Sequence, residues 1–240
     1  MRTVGVDLAG DPANTAMAVI DWHAGGARAE IHEHVGDAAI LAHRSADALG
    51  IDAPLGWPRP FVALVNGALV EPAEQVKARA PLRYRATDLY LQEIHRARPL
   101  SVSSDLIAVP AMRCQHLLRA LGVTDRSGDG RVFEVYPALA LRLWGLPRVP
   151  YKGKARVEAC GQLWAALRAR MPWLTFASES HERTARTVDH ALDAVVAAVI
   201  ARLAKIGAVE EIPAEHREAA RVEGWIVVPA PGSLERAVGG

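Results

Sequence analysis

Cysteine, net charge and long apolar runs are all scarce in this chain. The two cysteines, Cys114 and Cys160, lie far apart and match no metal-ligand spacing; they suit a reducing cytoplasm. A formal net charge of +1 and a pI near 7.9 mean that no whole-molecule field advertises nucleic acid, so any such footprint must be a local patch. The most apolar stretch, "ALDAVVAAVIARLA" at 191–204, is too short to span a bilayer and carries Asp193 and Arg202. The opening "MRTVGVDLAGD" meets an acid too early for a signal peptide. Nor is there an internal repeat, a low-complexity tract or a dividing linker. The expectation is a soluble cytoplasmic protein without membrane contact, a single domain over 1–240.

What is present reads as α/β. Residues 3–8 form a short apolar run closed by Gly10, Asp11 and Pro12, and "TAMAVIDW" (15–22) reads as a second strand. A "GGA" turn leads into a third, 28–35, whose alternation Glu33 interrupts. "DAAILAHRSADA" (37–48) reads as a helix, and "LGIDAP" (49–54) as a fourth strand ended by Pro54. Residues 56–110 are broken by Pro58, Pro60, Pro72, Pro81, Pro99 and Pro110 into short helices and loops. A helix at 110–121 and the "SGDG" turn precede the strand "RVFEVYP" (131–137). Helices are expected at 138–144, 153–170 and 187–205, and a final edge strand at 224–229.

Acids recur where strands end. If the first, fourth and fifth strands are parallel neighbours about 4.8 Å apart, their carboxyl ends bring Asp7, Asp52 and Glu134 within reach of one ion. A helix packed there adds Asp193, with His190 and Asp189 one turn earlier on the same face. Crowded carboxylates repel unless protonated or bridged by a cation, and hard oxygen donors favour Mg²⁺ or Mn²⁺. Asp in a turn also has ordinary structural uses, and Asp52 before Pro54 is open to the reading of a loop cap. Asp193 resists that explanation, since it sits in an almost wholly apolar helix.

The ordered motifs "GVDLAG", "IDAPLGWP", "RATD", "SVSSDLI", "FEVYPA" and "DHALDAVVAA" resemble the family termed domain of unknown function 429, regarded as predicted nucleases of RNase H-like fold. The resemblance covers about residues 3–200. It implies a mixed five-stranded sheet, three antiparallel strands followed by two parallel ones; with the elements read above, the expected fold is that sheet flanked by helices, with a helical and irregular insertion after the fourth strand at about 56–125. It also implies acids at the ends of strands 1 and 4 and on a C-terminal helix, roles that Asp7, Asp52 and Asp193 match. The "HALDA" segment is similar to the His-x-x-Asp ending of some RuvC-type resolvases, which places His190 beside the metals. Glu134 departs from the simplest pattern of that superfamily.

Within the irregular insertion lies a basic segment, 77–99, beginning at Lys77. Arg83 and Arg85 are candidates to hold phosphate, with Asp88 orienting one of them and Tyr84 and Tyr90 available to stack on bases; an internal Arg–Asp pair on a solvated surface is the alternative. Lys152 and Lys154, in "YKGK", are further candidates for phosphate contact or simply an exposed loop. Ser103 and Ser104 lack a matched His and acid, and His32, His34 and His43 lack a zinc pattern. The leading expectation is a metal-dependent nuclease using Mg²⁺ or Mn²⁺, with Asp7, Asp52, Glu134, Asp193 and His190 at its centre. The rivals are a nucleotide-binding phosphotransferase or ATPase of the same superfamily, and a non-catalytic module stabilised by metal.

Overall fold

In "RTVGVD" the side chains of Val4 and Val6 fall on one side of an extended chain, and those of Thr3, Gly5 and Asp7 on the other. The computed structural model describes residues 1–68 and 79–238, which leaves Pro72 and Lys77 outside the described residues. It forms β1 from Arg2–Asp7. β2 (Ala16–His23) and β3 (Gly26–Glu33) follow as successive antiparallel neighbours. After α1 (Asp37–Ala42), β4 (Ala48–Asp52) lies parallel to β1 on its other side. The segment between β4 and β5 (Val132–Glu134) holds α2 (Arg59–Val65), α3 (Ala80–Arg83), α4 (Ala86–Glu93) and α5 (Ala108–Leu121). β5 runs parallel to β4. Then come α6 (Pro137–Leu143), α7 (Val157–Arg170), β6 (Leu174–Phe176), α8 (Glu179–Thr187), α9 (Asp189–Lys205), α10 (Arg217–Glu223) and α11 (Ser233–Arg236).

The sheet has six strands in the order β5-β4-β1-β2-β3-β6, one more than expected. The extra strand, "LTF", pairs in parallel with β3 at the far edge. Three residues are too few to display a period of two, which is why the sequence did not announce it. The edge strand expected at 224–229 is replaced by two isolated bridges, Glu134 to Ile226 and Val209 to Pro229. The chain touches β5 there, with the Val227 N–H on the Glu134 carbonyl at 2.9 Å, and then leaves. The first helix is also shorter than expected, ending at Ala42. No helix among the described residues is long and apolar enough to cross a membrane.

One sheet face is covered by α9, whose residues Ala191–Leu203 are all buried, including Asp193 and Arg202. The close approach is made by glycine. Gly5 and Gly50 are register partners on β1 and β4. A Cβ on Gly5 would stand 2.1 Å from both the Ala194 oxygen and the Ala198 nitrogen, and one on Gly50 would stand 2.5 Å from the Ala197 oxygen. The helix backbone therefore rests directly on the two strands, at a fixed height and register. The opposite face packs Val4, Val6, Leu49 and Ile51 with Cys114, Leu117 and Leu118 of α5. Both cysteines are buried and free, and burial pushes both thiols up, Cys160 to about 11.

Candidate metal centre

Asp7 and Asp52 are the last residues of β1 and β4 and register partners across the parallel pair. Partners in register point to the same face, and by the alternation Gly5–Asp7 and Gly50–Asp52 that face is the one α9 covers. Because the glycines admit the helix backbone around Ala194–Ala198, Asp193 comes down beside them. Ligand atoms of Asp7, Asp52 and Asp193 all lie within 4.8 Å of one another.

Proximity and burial shape their chemistry. Burial, followed by the charge of Asp7, holds the Asp52 carboxyl well above the usual carboxylate range. Burial also pushes Asp193 up to about 6, against the opposing pull of Lys152. Asp52 and Asp193 are thus held with less nearby positive charge than two ionised carboxylates need.

The chain supplies some of that charge itself. Lys152 forms an ion pair with Asp193 Oδ2, and Tyr151 Oη donates to Asp193 Oδ1 at 2.8 Å. Burial weakens the charged form of Lys152, but Asp193, Asp7 and Asp52 outweigh it and hold its pKa well above the ordinary value. His190 Nδ1 lies 2.7 Å from Asp7 Oδ2; this hydrogen bond raises the imidazole pKa despite burial. Asp189, on the first turn of α9, accepts the Gly153 N–H at 2.7 Å and so fixes the loop carrying Lys152. Sequence reading offered Lys152 as a phosphate contact or simply part of an exposed loop, and did not foresee that it meets Asp193. It gave Tyr151 no role at all; a polar aromatic residue adjoining that loop was the only available signal.

Glu134 does not join the acids. Its register partner is Ile51, one residue short of Asp52, so its side chain points to the opposite face. There Arg85 Nη1 and Nη2 each donate to it at 2.7 Å, and the Leu55 N–H donates at 2.9 Å. Burial pushes the Glu134 carboxyl up while Arg85 pulls it down. The expectation that Glu134 is a metal ligand is thus corrected: its oxygens are already occupied by a guanidinium.

Arg85 is corrected by the same contacts. It is 2% exposed and also donates to Asp88 from Nε and Nη2, and to the Glu223 carbonyl from Nη1. All five guanidinium N–H groups are engaged internally, leaving none for phosphate. Asp88 does orient Arg85, but within the protein; it also accepts the Arg85 backbone N–H at 2.9 Å. Glu223 extends the network through the Arg59 and Ala86 N–H groups at 2.8 and 2.7 Å. Arg83 is half-buried, contacting Ser104 Oγ at 3.3 Å and lying over the Tyr84 ring. Lys154 is exposed on a short turn beside Lys152. Ser103 donates to backbone carbonyls of Leu82 and Arg83.

Two carboxylates at strand ends and a fully buried third on α9 form an all-oxygen donor set that could hold a hard divalent cation. No curated protein and no solved structure matches the chain. A family model does match, over residues 5–218, described as protein of unknown function (DUF429). That span takes in Asp7, Asp52, Asp193 and the loop that carries Lys152, and the chain belongs to this DUF429 family.

Proposed function

We propose that the protein is a metal-dependent phosphodiesterase of RNase H-like fold acting on nucleic acid. The observation that carries this reading is the convergence of Asp7, Asp52 and Asp193 from two strand ends and a buried helix. The strand directions support the fold assignment: β1–β3 antiparallel, then β4 and β5 parallel to β1, with β6 as an addition.

Asp7, Asp52 and Asp193 would hold Mg²⁺ or Mn²⁺. Such ions, when bound, activate water and stabilise the leaving oxygen of a phosphodiester. His190 orients Asp7 through Nδ1 and carries a proton at that atom when charged. Lys152 is the chain's own cation at the site, and Tyr151 fixes the far oxygen of Asp193. Glu134 and Arg85 act at one remove, tying the segment after β4 to β5 through Leu55.

The test is cleavage of end-labelled DNA and RNA, single-stranded, duplex and branched, with Mg²⁺ or Mn²⁺. EDTA-sensitive cleavage is expected. Asp52→Asn should reduce it by more than the roughly 10–100-fold typical of losing an outer-shell partner. A metal-induced rise in Tm with no phosphodiester turnover on any substrate would overturn the nuclease reading in favour of a metal-stabilised binding module.

A further inference from the structure

The hollow beside the metal centre is the last of four that run together along the molecule. The first, about 420 Å³, is lined by Tyr84, Arg96 and Arg98. The second, about 410 Å³, shares both arginines and adds Tyr136, Arg142 and Arg148. The third, about 390 Å³, shares Arg142 and Arg148 and reaches Tyr151. The fourth, about 490 Å³, begins at Tyr151 and Lys152 and ends at Asp189 and His190. The three clustered acids do not themselves line it, but Tyr151 and Lys152 bind Asp193 and His190 binds Asp7, so the series ends one side chain away from them.

The charge is one-sided along the first three hollows, whereas Glu33 and Asp189 line the fourth. Among the described residues no acid lines the first three hollows, in a chain with 27 acids and 28 bases. Arg96, Arg98 and Arg148 are exposed, and their guanidinium groups have no carboxylate partner among the described residues. Arg142 has a different task. It donates to the His95 carbonyl at 2.6 Å and so holds the turn bearing Arg96, whose φ of 51° is left-handed. Tyr84 and Tyr136 are half-buried and line the first and second hollows, Tyr84 with the Arg83 guanidinium over its ring.

We propose that this arginine track binds one nucleic-acid strand and leads it to the acids, so that the substrate is a single strand or an unpaired end; this rests on the nuclease reading above. Each hollow has the size of a site for one small organic group. Nucleotides of an unpaired strand can turn their bases into such hollows and stack them on tyrosine, while the arginines follow the phosphates. In a duplex the bases are paired inward and only the rigid phosphate ridges are offered, which cannot enter.

Binding of fluorescein-labelled 15-mers, read by anisotropy in EDTA, tests the track without any cleavage. The single strand is expected to bind at least about tenfold tighter than the same sequence as duplex. Arg98→Glu with Arg148→Glu should weaken single-strand binding at least about tenfold and reduce the slope of log K against log salt by about 1.4, two phosphate contacts at about 0.7 each. Arg119→Glu with Arg183→Glu makes the same change in net charge at exposed positions outside the four hollows, and should change neither. Equal binding of duplex and single strand, or equal loss in the two charge-reversed pairs, overturns the proposal. Because no metal is present, failure of the wild type to cleave in a separate assay bears on the nuclease reading alone.

Discussion

Asp7 and Asp52 are register partners on adjacent parallel strands, so their carboxylates project side by side towards α9. Without a cation this arrangement opposes folding, because burial and the charge of Asp7 disfavour ionised Asp52. Asp52→Asn should therefore raise the Tm of metal-free protein by about 2–4 °C, roughly 1 kcal/mol for a chain of this size. The same variant should lose the Tm increase that Mn²⁺ gives the wild type. Differential scanning calorimetry with and without Mn²⁺ reads both effects; an unchanged metal response would contradict the ligand assignment.

The pH dependence has a definite sign. Asp193 rises from an ordinary value of 3.8 to about 6, so the native state holds a proton that the unfolded chain releases. Its contribution to stability is present below about 4 and is lost as pH rises towards 6. His190, raised above its ordinary 6.5 by its hydrogen bond to Asp7, acts in the same sense at higher pH, losing its contribution as it deprotonates. The difference in urea midpoint between wild type and Asp193→Asn, without metal, should shift against the wild type between pH 4.5 and 6.5. Mn²⁺ affinity should strengthen over this interval, because the ion displaces a proton. Isothermal titration in two buffers of different ionisation enthalpy would detect that proton release.

Glu134 offers the contrary case. Glu134→Gln should leave Mn²⁺ affinity within about twofold while destabilising the fold by about 3 kcal/mol, since it removes one partner of a buried ion pair. Titration of the folded variant separates this from Asp52→Asn. A large loss of metal affinity would contradict the placement of Glu134 on the opposite face.

The outcome for Glu134 also marks the limit of what the sequence revealed. Asp7 and Asp52 were legible as acids closing short apolar runs, and Asp193 as a charge inside an almost wholly apolar helix, where burial makes it conspicuous. Glu134 carried the same signal for another reason: its partner Arg85 lies 49 positions earlier, in a segment with no clear period. Which sheet face an acid occupies depends on strand register, and one residue of offset reverses it. The β1–β5 elements were visible from apolar runs and turn residues; β5 is as short as β6 but sits in "RVFEVYP" between the "SGDG" turn and Pro137, context that "LTF" lacks. Lys152 was noticed, but its partner was not, since loop conformation sets where a lysine ends.

Gly5 makes the site possible by admitting the α9 backbone. Gly5→Ala places a methyl group 2.1 Å from main-chain atoms that no rotamer change can move. It should cost about 3 kcal/mol or more, lowering Tm by roughly 6–12 °C, and weaken Mn²⁺ binding because Asp193 is lifted from its neighbours. Thermal melts with and without Mn²⁺ check both; a neutral substitution would mean that the helix does not rest on the strand here.

The most direct measurement is anomalous diffraction from a crystal grown at neutral pH and soaked in Mn²⁺. The account predicts a peak bounded by carboxylate oxygens of Asp7, Asp52 and Asp193, with the Lys152 ammonium moved off Asp193 and Glu134 still held by Arg85. Absence of a peak at these acids under Mn²⁺ concentrations that saturate ordinary carboxylate sites, or a peak bounded by Glu134 instead, would contradict it.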